Sequence, residues 1–328
     1  GMNIILALSA GFVLLVAGGE LLVRGAVRMA ERLGMSPLLV GLTIVGFGTS
    51  TPELVTSVQA AMQGSPGIAV GNIVGSNIAN ILLILGLAAL ISPITLTPAA
   101  LRRDGVLVLV TAVMFAVVAW AWTLDRATGC LLVAGLAGYL TYAYRQEKQA
   151  TPSHTAAFDK GEALDELVTH HPKRHARSKA LDLAIAIALV AAGLVLVVLG
   201  GKYFVTGAIG LARSFEISET VIGLTIVAIG TSMPELVTSV VAAYRKHSDV
   251  ALGNVLGSNL YNVLGIGGLT ALISPTEVPA AIVRFDNPVM IAASAALLLF
   301  AWTNRRIGRR EGGLLLAGYA AYVLALVF

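Results

Sequence analysis

Residues 41–58 and residues 223–240 are near-copies of one another, identical at fifteen of eighteen positions and offset by 182 residues. Each copy carries Gly-Thr-Ser-x-Pro-Glu inside an otherwise apolar run, so that one carboxylate, Glu53 or Glu235, follows a proline break. A charge at that depth in an apolar span is costly and calls for a compensating group. The same offset continues along the chain. Gly-Asn-x-x-Gly-Ser-Asn-x-x-Asn at 71–80 returns at 253–262, Ile-Ser-Pro at 91–93 returns at 273–275, and Arg102 and Trp120 return as Arg284 and Trp302. The fold is therefore built twice.

Composition decides the environment. Of the 328 residues, 57% are hydrophobic and 12% charged, with a mean hydropathy of +0.85, whereas a water-soluble domain carries roughly a quarter charged residues. Ten apolar segments can be drawn, at 3–23, 37–62, 67–92, 105–123, 127–145, 179–201, 219–244, 249–273, 286–303 and 311–328. They run about 17–25 residues, the length of a bilayer-spanning helix rather than of a tilted barrel strand. The expectation is an all-α membrane protein with ten transmembrane helices, whose first apolar segment is a true span rather than a removable leader. Gly1 ahead of Met2 reads as a tag remnant. The lipid bilayer is the partner this composition demands. The net charge of +4 comes from basic residues beside the spans and calls for no nucleic acid. The single cysteine, Cys130, excludes an internal disulfide and reads as a small packing residue.

Five spans fall in residues 1–145 and five in residues 179–328, joined by a polar loop at 146–178. An odd number of spans makes the second half enter the membrane from the opposite side. The result is two inverted five-helix repeats, an architecture that places a transport site near the midplane between the repeats. The basic residues agree. Eighteen of the 22 Lys and Arg lie in the loops of one side and four in those of the other, and the ratio is 11 to 4 without the long loop. Because such residues favour the cytoplasm, the termini are expected outside and loop 146–178 inside.

Spans 2 and 7 carry the chemistry. Pro52 and Pro234 cannot donate a backbone N–H, and each clashes with the carbonyl four residues earlier, that of Gly48 or Gly230. Broken helices are expected there, with carbonyls released around Gly46, Thr49 and Ser50, and around Ala228, Thr231 and Ser232. Freed carbonyls in a bilayer are tolerated only against protein, water or an ion. Glu53 lies one turn beyond Thr49 and faces the same way. Spans 3 and 8 add polar stripes at four-residue spacing, Asn72, Ser76 and Asn80, and Asn254, Ser258 and Asn262. Carboxylate, hydroxyl and carbonyl oxygens without sulfur or imidazole suit Na⁺, Ca²⁺ or Mg²⁺ rather than zinc or copper.

Blander explanations account for some of these features. Gly-x-x-x-Gly is ordinary helix packing, and Asn77 and Asn259, one position off the stripes, read as interhelical hydrogen bonds. Loop 146–178, with His170, His171 and His175, reads as a solvated linker. The two glutamates resist such a reading, since the central stretches of spans 2, 3, 7 and 8 contain no basic residue to pair with them.

These doubled, collinear motifs resemble the two α-repeats of the cation/Ca²⁺ exchanger superfamily, especially its prokaryotic Na⁺/Ca²⁺ exchanger branch. The resemblance places the repeats at about 37–92 and 219–273 and covers essentially the whole chain. It implies a diamond of cation sites and alternating access, with spans 1 and 6 sliding across the core. It also implies a divalent site made by the Glu53 and Glu235 carboxylates and the Thr49 and Thr231 carbonyls. Flanking Na⁺ sites would use the Gly46 and Ala228 carbonyls and the oxygens of Ser50, Ser232, Ser76 and Ser258. The chain departs from the family at Asn262, where an Asp is common opposite Asn80. The ligand set therefore has a formal charge of −2, matching one Ca²⁺ or two Na⁺.

The expected activity is secondary antiport of Ca²⁺ against Na⁺, with Ca²⁺/H⁺ antiport as the alternative left open by Asn262. No cofactor, enzyme chemistry or obligate protein partner is expected. No Gly-x-x-x-x-Gly-Lys-[Ser/Thr] phosphate loop occurs, so an ion gradient rather than ATP would supply the energy. An intramembrane hydrolase would need two carboxyls in unlike surroundings, and Glu53 and Glu235 sit in near-identical ones. A scaffold would need no midplane carboxylates at all.

Overall fold

The computed structural model describes residues 3–32, 46–95, 101–121, 123–148, 158, 160, 179–246, 248–304 and 306–327. The opening part of the second apolar segment, 37–45, and nearly all of loop 146–178, its three histidines included, lie outside the described residues. The framework is helical: α1 (Ile4–Arg32), α2 (Thr51–Met62), α3 (Pro66–Ala79), α4 (Val106–Ala121), α5 (Arg126–Lys148), α6 (Lys179–Ser214), α7 (Met233–Tyr244), α8 (Ser248–Leu260), α9 (Asn287–Asn304) and α10 (Arg309–Val327). Eight helical segments among the described residues are long and apolar enough to cross a bilayer. A ninth arises if the bent pair Glu219–Thr231 and Met233–Tyr244 counts as one span. This is an integral membrane protein.

Burial separates a centre from a periphery. The segments Pro66–Ile91 and Val250–Ile273 are each 83% buried, against 22% for Leu181–Ser214. α3 and α8 are thus surrounded by protein, whereas α6 presents Leu194, Val195 and Leu199 outward, as a lipid-facing helix must. α1 and α6 pack antiparallel on each other through small residues. A Cβ on Gly11 would lie 2.5 Å from the Phe204 nitrogen, and one on Gly193 would lie 2.5 Å from the Leu22 nitrogen. Glycine lets these two backbones touch.

Both central helices change winding at matching places. α3 runs into a π-helical segment, Asn80–Leu85, and then Gly86–Ile91, while α8 runs into Tyr261–Ile266 and then Gly267–Ile273. Further π-helical turns occupy Leu101–Gly105, Gly223–Val227 and Ile282–Asp286. Sequence periodicity does not announce these turns, because one inserted residue per turn leaves the apolar pattern nearly unchanged. Short strand contacts also tie the halves together. β1 (Ile94–Thr95) pairs antiparallel with β2 (Arg306–Ile307), and Leu124 bridges Thr276.

Candidate cation site

Glu53 and Glu235 each occupy the third position of a helix, α2 or α7, one residue after the proline. That position lies within the positive end of the helix dipole, which stabilises a buried carboxylate. Both are 1% exposed. Ser50 and Ser232 precede these helices in closely matching conformations, φ −87° and ψ 6° for Ser50 and φ −83° and ψ 9° for Ser232. A serine three residues before a glutamate is the pattern of a capping box, yet neither hydroxyl caps its own helix. Each crosses to the other half instead. Ser50 Oγ donates to Glu235 Oε1 at 3.0 Å, and Ser232 Oγ donates to Glu53 Oε1 at 2.9 Å.

The two asparagines at the start of the polar stripes hold the helix ends in place. Asn72 Nδ2 donates to the Glu53 carbonyl at 3.1 Å and to Ser57 Oγ at 2.9 Å. Asn254 Nδ2 donates to the Glu235 carbonyl at 3.2 Å and to Ser239 Oγ at 2.9 Å. Neither asparagine is expected as a ligand from the sequence, and both serve as braces. Asn259 is an interhelical bond as anticipated, donating to the Asn77 carbonyl at 3.3 Å and accepting from Asn80 Nδ2 at 2.9 Å. Asn77 itself bonds back to the Ile73 carbonyl of its own helix.

Release of carbonyls at the breaks is less extensive than the sequence suggests. The Ser50 carbonyl accepts the Leu54 N–H and the Ser232 carbonyl accepts the Leu236 N–H, both at 3.0 Å. The Ala228 carbonyl accepts the Ser232 N–H at 3.0 Å. The physical reason is the placement of Pro52 and Pro234 in the first turn, where the missing N–H has no partner to lose and the helix restarts at once. Gly46 is buried in a short helical turn, Gly46–Gly48. Span 7 nonetheless bends by 50° between Thr231 and Met233.

Several buried oxygens have no hydrogen-bond partner among the described residues: Glu53 Oε2, Glu235 Oε2, Ser76 Oγ, Asn80 Oδ1, Asn262 Oδ1 and Asn254 Oδ1. Buried polar atoms are ordinarily satisfied, and the first five belong to residues expected to ligate a cation. An oxygen-rich, desolvated set of this kind suits a hard cation. Thr231 Oγ1 donates within reach of Asn72 Oδ1 at 2.9 Å and of the Val227 carbonyl at 3.0 Å.

One further group enters. Lys160, from loop 146–178, is 0% exposed, and its Nζ donates to Thr49 Oγ1 and Ser258 Oγ, each at 2.6 Å, and lies 3.4 Å from Glu235 Oε1. The expectation that no basic residue meets the glutamates is thereby corrected, as is the reading of the loop as solvated throughout. A lysine in a polar loop carries no local signal of its destination; its neighbour Phe158, half-buried against the core, is the nearest thing to one.

The sodium/calcium exchanger protein family matches this chain over residues 3–145 and 185–328. The sodium/calcium exchanger MaX1 of Methanosarcina acetivorans is 37% identical over 347 residues, covering 98% of both proteins. The inner membrane protein YrbG of Escherichia coli is 34% identical over 319 residues, covering 96% of this chain and 94% of that protein. The sodium-calcium exchanger NCX_Mj, soaked with 2.5 mM Na⁺ and 0.1 mM Ca²⁺, aligns over 98% of each chain with a TM-score of 0.61 and 31% identity. With family match and relatives both running the length of its two halves, the chain belongs to the sodium/calcium exchanger protein family.

Proposed function

We propose that this protein is a secondary antiporter that exchanges Ca²⁺ for Na⁺ by alternating access. The observation that carries the reading is the crossed pair of contacts, Ser50 to Glu235 and Ser232 to Glu53, which leaves one oxygen of each carboxylate without a partner among the described residues. Glu53 and Glu235 would be the central ligands, with the Thr49 and Thr231 carbonyls, the Ser50, Ser232, Ser76 and Ser258 oxygens, the Gly46 and Ala228 carbonyls, and the amide oxygens of Asn80 and Asn262 around them. Two carboxylates held in a desolvated pocket favour the occluded state only when cations neutralise them, which is what couples the two ions. Membership of an exchanger family sets the protein among transporters rather than enzymes.

The architecture that fits this reading is ten spans in two inverted repeats, 1–145 and 179–328, around the 146–178 loop. Support comes from reciprocal contacts at the 182-residue offset, which include the serine–glutamate pairs and the asparagine braces. A bacterial inner membrane is the natural setting, with the termini outside and the loop cytoplasmic as the basic residues indicate.

Ca²⁺/H⁺ antiport is the second reading, favoured by Asn262. Its side chain is buried with neither amide atom partnered among the described residues, and it brings no charge for a further Na⁺. Uptake of ⁴⁵Ca²⁺ into inverted vesicles, driven in turn by a Na⁺ gradient and a pH gradient, decides between the two. Uptake under neither gradient, equally in wild type and Glu53→Gln, would sink both.

A further inference from the structure

We propose that Lys160 is a built-in competitor for the transported cation, its ammonium occupying the Glu235 half of the site until an ion displaces it. An ammonium has three N–H donors, and Lys160 directs them at three oxygens, Thr49 Oγ1, Ser258 Oγ and Glu235 Oε1. All three belong to residues that the cation would use, and the proposal rests on that reading of the site. The Tyr261 ring lies 5.9 Å from the nitrogen and adds a π-face to the oxygen shell. Phe158, two residues earlier, is packed against the core.

The contacts differ between the two halves where Lys160 sits. In one half Thr231 Oγ1 donates to Asn72 Oδ1. In the other, Thr49 Oγ1 accepts from Lys160, and Asn254 Oδ1, the counterpart of Asn72 Oδ1, is left without a partner among the described residues. Ser258 Oγ accepts from Lys160, whereas its counterpart Ser76 Oγ has no such partner. The ammonium has thus taken positions that the repeat would otherwise fill symmetrically or leave for an ion.

Chain length permits the insertion. Lys160 lies twelve residues beyond the end of α5 at Lys148, and twelve extended residues reach about 40 Å, more than the roughly 15 Å from the bilayer edge to its midplane. Electrostatics makes the occupancy displaceable. One ammonium against two carboxylates leaves a net charge of −1, while Ca²⁺ removes both charges and so gains more from the same desolvated site. A competitor on the same chain needs no partner protein, and it sets the cation concentration below which exchange idles.

A site that is self-occupied nine-tenths of the time shows an apparent affinity about tenfold weaker than its intrinsic one. The test is Ca²⁺-dependent exchange in proteoliposomes by wild type, Lys160→Ala and Lys160→Arg, with Glu235→Gln as the control on the site itself. Lys160→Ala is expected to lower the half-maximal Ca²⁺ concentration about tenfold, and Lys160→Arg, which keeps the cation, to lower it much less. An unchanged or raised half-maximal concentration in Lys160→Ala, alongside inactive Glu235→Gln, overturns the proposal while leaving the site intact. Active Glu235→Gln overturns the site reading, and the proposal with it. A second measurement needs no variant. Reductive methylation of the full-length wild-type protein, read by mass spectrometry, should leave Lys160 unmodified without Ca²⁺ and label it at saturating Ca²⁺. Equal labelling in both conditions overturns the proposal.

Discussion

The Ser50 hydroxyl donates a 3.0 Å hydrogen bond to Oε1 of Glu235, a residue 185 positions away in the other half of the chain. Ser232 returns the contact to Glu53 at 2.9 Å. Each half of the chain therefore orients the carboxylate of the other. A hydrogen bond to a charged group contributes roughly 1.5–3 kcal/mol. Ser50→Ala and Ser232→Ala should each weaken apparent Ca²⁺ affinity about tenfold or more, measured by ⁴⁵Ca²⁺ exchange, and the two should respond alike. A large effect of one and none of the other would show that the crossed contacts are not equivalent in use.

The two glutamates differ in one respect. Glu235 faces Lys160 and Glu53 makes no direct contact with it among the described interactions. Either Glu→Gln change should abolish exchange, since each removes one of the two buried charges that balance the divalent cation. Glu235→Gln also strands the Lys160 ammonium, so its thermal unfolding midpoint should fall further than that of Glu53→Gln. Equal midpoints would mean that the ammonium leaves the site freely when its counter-charge is gone.

Asn262 sets the charge of the ligand set. Its side-chain atoms are buried and unpaired among the described residues, at the second position of the π-helical segment Tyr261–Ile266. Asn262→Asp raises the formal charge from −2 to −3 and should admit one more monovalent ion per turnover. The Hill coefficient for Na⁺ should rise by about one, and exchange should become more sensitive to an imposed membrane potential. An unaltered Hill coefficient would place residue 262 outside the ion path.

The α1–α6 contact predicts a stability effect. A Cβ on Gly193 would meet the Leu22 nitrogen at 2.5 Å and the Gly18 carbonyl oxygen at 2.7 Å, and both are backbone atoms that cannot rotate away. Gly193→Ala should force the helices apart at a cost of about 1–3 kcal/mol, seen as a lowered unfolding midpoint. Gly138→Ala, at a helical position with open space around it, is the control and should hold the midpoint or raise it slightly, because Ala favours a helix over Gly.

Much of the framework is legible without coordinates because hydropathy and repetition are local signals. The segments drawn at 67–92, 127–145 and 249–273 agree closely with helical stretches Pro66–Ile91, Arg126–Gln146 and Val250–Ile273. The bend after Thr231 follows from Pro234, and the depth of Glu53 and Glu235 follows from the apolar residues around them. The π-helical turns at Asn80 and Tyr261 have no such signature, and the engagement of the Ser50, Ser232 and Ala228 carbonyls depends on how soon each helix restarts.

The sequence alone determined that the chain is helical, lives in a bilayer, and carries two symmetry-related carboxylates after proline breaks, because a repeated motif in an apolar run has few physical solutions. Which serine meets which glutamate, how Asn72 and Asn254 brace the broken helices, and that Lys160 comes to rest beside Glu235 were decided only by tertiary packing. Those contacts join residues between 15 and 185 positions apart. A side chain's chemistry says what it can bond; only the packed chain settles which partner is within about 3 Å.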